Sequence, residues 1–137
     1  MRGIHRRLGS GFPIEYLHTP TPRDNDSVLA RLTPGSLVVN ATGLGKDAPG
    51  SPLTGEAPFP ERGLIWDFNY RGDLLFLRQA KEQAAARKLK VEDGWLYFIY
   101  GWLSVIGDVF HLDIPARGPL FDELCAIAEK QRKRKEG

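Results

Sequence analysis

The sequence predicts an α/β domain built on parallel strands. Apolar runs of strand length and of helix length alternate along the chain, the order expected of strands joined by crossover connections. Two of the strand runs, "SLVVNAT" (36–42) and "GLIWDFNY" (63–70), are apolar almost throughout, as in strands covered on both faces. The length, 137 residues, suits one domain with a core of its own.

The elements follow in order. The first residues, "MRGIHRRLGSGFP" (1–13), are basic and expected to be irregular, and the domain proper is expected over 14–137. "IEYLHT" (Ile14 to Thr19) reads as a strand, followed by the proline-rich turn "PTPRDND", with a helix N-cap at Asn25 or Asp26 and a short helix over "SVLARL". "TPG" stops it before the strand "SLVVNAT". A long loop rich in glycine and proline then runs to "GLIWDFNY", and a loop of that length in a compact domain is either a working loop or disordered. Asp73 can cap a helix from Leu74 to Lys88, with Leu74, Phe76, Leu77, Ala80 and Ala84 on one apolar side. "KLKVEDG" is a short strand stopped by glycine. "WLYFIYGWLSVIGDVFH" (Trp95 to His111) is apolar nearly all round and is expected to be a buried helix, its Trp95, Tyr97, Tyr100 and Trp102 serving as core packing. A last amphipathic helix runs from Leu120 to Lys133.

Composition excludes several classes. A formal charge of +2, with the basic residues at the two ends, argues against nucleic acid. No apolar run is long enough to cross a membrane and no h-region follows the basic start, so a cytoplasmic location is expected. Cys125 is the single cysteine; it falls at an apolar helical position and is read as core packing, not as a nucleophile. His5, His18 and His111 are widely separated without a ligand-spaced partner, so no metal site is expected, and His18 and His111 read as structural.

In an open parallel sheet, ligands bind outside the carboxyl ends of the strands. The Asn40-Ala41-Thr42 turn and the "DFNY" segment both leave strands on that rim. "SLVVNATGLG", "LIWDFNY" and "VEDGW", in this order and at these separations, resemble the C-terminal half of the shikimate dehydrogenase family, over about Ile14 to the end of the chain. The resemblance implies a partial Rossmann-like, doubly wound parallel sheet with C-terminal helices. It also implies NADP as cofactor and hydride transfer between 3-dehydroshikimate and shikimate, or a related polyol acid. Carried over by position, Asn40, Ala41 and Thr42 would line the nicotinamide side of the cofactor cleft, and Phe68 would pack on the nicotinamide. Tyr70 would reach the substrate, and Gly94 would let the backbone approach the cofactor. Without that context, Asn40 and Thr42 are ordinary turn-capping residues and Tyr70 a strand-end aromatic.

The match has two departures. Gly101 stands where the family commonly has a substrate-holding glutamine. The family's substrate domain, its catalytic Lys and Asp, and its glycine-rich pyrophosphate loop would all precede residue 1, so no catalytic residue is assigned within this chain. "LGSGF" (8–12) lacks the strand and helix that a pyrophosphate loop needs on its flanks. Lys46, Asp47, Lys90 and Asp93 read as exposed loop charges. The expected protein is therefore the NADP-binding portion of a shikimate dehydrogenase-like oxidoreductase, incomplete as a lone chain. Its exposed sheet edge would favour self-association or pairing with an N-terminal half. The alternatives are a non-catalytic module binding a nucleotide or small acid, and a split-protein partner.

Overall fold

In the computed structural model, which describes residues 2–9, 11 and 13–136, the elements run α1 (Arg2–Leu8), α2 (Pro22–Leu29), β1 (Leu37–Asn40), β2 (Leu64–Asp67), α3 (Leu75–Arg87), β3 (Lys90–Glu92), α4 (Trp95–Phe110) and α5 (Pro119–Glu136). The fold is mixed α/β, with a small open sheet of three parallel strands in the order β1-β2-β3. Asn40 lies opposite Asp67 at the carboxyl end of the first pair, and Trp66 opposite Glu92 in the second.

The core lies on one face of this sheet. Ile65 and the half-buried Val38 and Val91 pack there with Phe76 and Ala80 of α3, Leu29 of α2, and Leu53, Ala57 and Phe59 of the β1–β2 connection. That long connection is therefore part of the core, and α3 holds it along its length. Gln79 Nε2 donates to the Thr54 carbonyl at 2.9 Å, Gln83 Nε2 to that of Ala57 at 2.9 Å, and Arg87 Nη1 to that of Phe59 at 2.9 Å. The three donors recur every fourth residue and so share one side of the helix.

Several expectations change. Residues Ile14 to Thr19 form no strand: among the described residues they have no strand partner, Ile14 and Leu17 are exposed, and Tyr16 bonds His5 of α1 instead. The basic start, expected to be irregular, contains that helix. The α2 cap is Thr21, not Asn25 or Asp26. Its hydroxyl accepts from Asp24 N at 3.4 Å while Asp24 Oδ2 accepts from Thr21 N at 2.9 Å, a capping box with Pro22 starting the helix. Asn25 and Asp26 instead bond the long loop, through the Pro52 carbonyl at 2.9 Å and Thr54 N at 3.2 Å. Asp73 does not cap α3; Leu74 precedes it in the left-handed region at φ 49°, its N–H donating to the Gly45 carbonyl at 3.2 Å.

The largest difference concerns burial. β1 and β2 were expected to be covered on both faces, yet Leu37, Val39 and Leu64 are exposed. The reason is that α2, α3 and the loop all pack on the opposite face. Helix α4 forms as expected but is not buried. Ile99 is its one buried residue, while Trp102 is 53 % and Val109 63 % exposed. Among the described residues no helix is long and apolar enough to cross a membrane.

Candidate functional site

The carboxyl end of the sheet gathers the three segments singled out in the sequence. β1 ends at Asn40, β2 at Asp67, and Gly94 closes the turn into α4. Phe68 N donates to the Asn40 carbonyl and Gly94 N to the Asn69 carbonyl, each at 3.0 Å, so backbone bonds tie all three together.

Asn40 is buried and both ends of its side-chain amide are bonded. Its amide donates to Asp67 Oδ1 at 3.1 Å, and its Oδ1 accepts from Thr42 N at 3.1 Å and from the Thr42 hydroxyl at 2.7 Å. This is an Asx turn welded to the neighbouring strand, so what the turn presents outward is backbone, Ala41 and the edge of Thr42. Asp67 is fully buried. Oδ1 also accepts from Asn69 N at 3.0 Å, while Oδ2 has no partner among the described residues. Burial pushes the Asp67 carboxyl above the usual carboxylate range, with the Asp93 charge adding to the rise and the bonds from Asn69 and Asn40 opposing it. Asn69 is buried as well, its amide donating to the Leu44 carbonyl at 2.9 Å.

The open sheet face carries the aromatic part of the rim. Phe68 stacks on Tyr97 of α4 with centroids 4.9 Å apart and planes 13° apart, and Trp66 meets both rings edge-on. Gly94 sits where a Cβ would run into the Phe68 carbonyl oxygen. Packing of α4 on the β2 end is thus sufficient by itself to require glycine there. Tyr70 stacks on Phe98 at 4.2 Å.

Some residues took on roles the sequence did not show. Tyr97, read as core, stacks on Phe68 and is 53 % exposed. Asp93, read as an exposed loop charge, caps α4 by accepting from Trp95 N at 3.0 Å and pairs with Arg132 at 3.3 Å. A carboxylate directly before a glycine and a helix-length apolar run was the available signal for the first of these roles. Lys46 and Asp47 pair with each other, and Arg71 approaches Asp47 at 3.9 Å. His18 and His111 are exposed; His111 ends α4 in the left-handed region at φ 54° rather than packing in a core. Cys125 is half-buried, and burial together with Asp122 pushes its thiol up, which keeps it protonated. Among the described residues no cluster of His, Cys, Asp and Glu could hold a metal ion. Compared with models of known families, with curated proteins and with solved structures, the chain matches none.

Proposed function

We propose that this chain is the cofactor-binding portion of a shikimate dehydrogenase-like oxidoreductase that takes the nicotinamide end of NADP(H) on the carboxyl rim of its sheet. The observation that carries the reading is the meeting of the Asn40–Thr42 turn, the Asp67–Tyr70 segment and the Gly94 turn on that rim through backbone bonds of 3.0 Å. The strand order β1-β2-β3, all parallel and adding outward in one direction, suits one half of a doubly wound sheet.

The residues present fit that end of the cofactor on one count, the stacked Phe68 and Tyr97 rings at the end of β2, where Phe68 N bonds the Asn40 carbonyl. A planar ring stacks on such a surface and its carboxamide meets backbone donors and acceptors. Asn40 supports the reading as a positioning residue, since its side chain faces inward. Bound NADP(H) would supply the hydride. Tyr70 would place its phenol toward a substrate, and no general acid or base is assigned here.

Titration of the 137-residue chain with NADPH, followed by cofactor fluorescence, tests this. Saturable binding is expected, weakened by Phe68→Ala about tenfold, as loss of one ring stack implies. No turnover of shikimate is expected from this chain alone. Absence of saturable binding, or equal binding by Phe68→Ala and the parent, would overturn the cofactor assignment.

A further inference from the structure

A cleft lies between the start of α4, the end of α5 and the residues after β2. Tyr70, Arg71, Trp95, Phe98, Gln131 and Arg132 line about 520 Å³ of it, within the size range of small-molecule sites. One wall is aromatic: Tyr70 stacks on Phe98 at 4.2 Å, and Trp95 lies 5.7 Å from Phe98 with the two planes 26° apart. Two guanidinium groups reach this wall. Arg132 lies 4.8 Å from the Trp95 ring centroid and Arg71 6.0 Å from that of Tyr70.

Asp93 organises the arrangement. One carboxylate oxygen accepts from Trp95 N at 3.0 Å and fixes the first turn of α4; the other holds Arg132 at 3.3 Å. The start of α4 and one arginine are thus held by a single side chain. Pre-organisation of that kind lowers the ordering cost of binding.

We propose that this cleft binds a small planar aromatic carboxylate, its ring against the Tyr70–Phe98–Trp95 wall and its carboxylate between Arg71 and Arg132. Rings stack on such walls, and guanidinium groups match carboxylates with paired hydrogen bonds. The neutral polar side-chain groups of the lining are the Tyr70 phenol, the Trp95 indole N–H and the Gln131 amide. The assignment goes beyond the cofactor reading, shares only Tyr70 with it, and stands without it.

The test is titration of the full chain with benzoate, benzamide and cyclohexanecarboxylate, following the indole N–H signals by NMR. Benzoate is expected to shift the Trp95 signal saturably. Benzamide should bind about tenfold more weakly for want of charge, and cyclohexanecarboxylate about threefold more weakly for want of a flat face. Arg71→Gln, on an exposed loop, and Arg132→Gln should each weaken benzoate roughly fivefold. Equal binding of benzoate and benzamide, indifference to both arginine variants, or no saturation by about 10 mM, an affinity near the weakest worth calling specific, would each overturn the site. Benzoate binding without NADPH binding would leave this site standing and remove the cofactor assignment. The reverse result would do the opposite.

Discussion

Asp67 shows how one residue sets a condition on the whole rim. Its raised pKa means the folded protein prefers the neutral carboxyl, so this group favours folding below the ordinary carboxylate range and loses that contribution as pH rises through the shifted value. Asp67→Asn keeps an acceptor for Asn40 and Asn69 but removes the charge. The variant should match or exceed the parent in thermal midpoint at pH 7, and the difference should shrink toward pH 4. Asp67→Ala leaves two buried donors without partners and should cost about 1–3 kcal/mol in urea unfolding at any pH. The glycines divide in the same way. Gly94→Ala should destabilise by about 2 kcal/mol or more, because the Phe68 carbonyl occupies the space and backbone cannot move aside cheaply. Gly101→Ala, in mid-helix with open space around it, should stabilise by about 0.5–1 kcal/mol.

At the scale of elements, the β1–β2 connection behaves as core because α3 supplies its missing backbone partners. A loop with no ladder of its own must satisfy buried carbonyls some other way. Gln79, Gln83 and Arg87 do so at every fourth position, and Ser51 donates to Gln79 Oε1 at 2.7 Å to hold that amide in place. Gln83→Leu should cost about 1–2 kcal/mol by chemical denaturation, since the half-buried Ala57 carbonyl bond is lost without replacement. Hydrogen exchange of α3 should stay slow in that variant while protection around Ala57 falls. A loop already free in the parent would show no change, and that result would contradict the ordering described here.

For the whole molecule, the uneven covering of the sheet is decisive. One face carries the core; the other, together with the outer side of α4, exposes Leu37, Val39, Leu64, Trp102, Val105 and Val109. Among the described residues no strand pairs with the outer edge of β1. Exposed apolar side chains and an open parallel edge both favour association. Sedimentation velocity should therefore show the average mass rising with protein concentration. The double variant Trp102→Glu, Val109→Glu should reduce that rise, since a charge at either position is disfavoured in an apolar contact. A single monomer species across the range, unchanged by the variant, would show that this surface is tolerated in water.

The sequence by itself determined the local elements: strand runs within 36–42 and 63–70, and the helices after Asp73 and Gly94. Those follow from periodicity and stop residues, which act between near neighbours. The tertiary structure alone decided that residues 14–19 join no strand among the described residues, that the Asn40 side chain turns inward to Asp67, and that α4 is left half uncovered. An apolar run shows that a segment can be buried, but not which segment will cover it. That depends on contacts between residues far apart in the chain, and here the covering layer formed on one face of the sheet only.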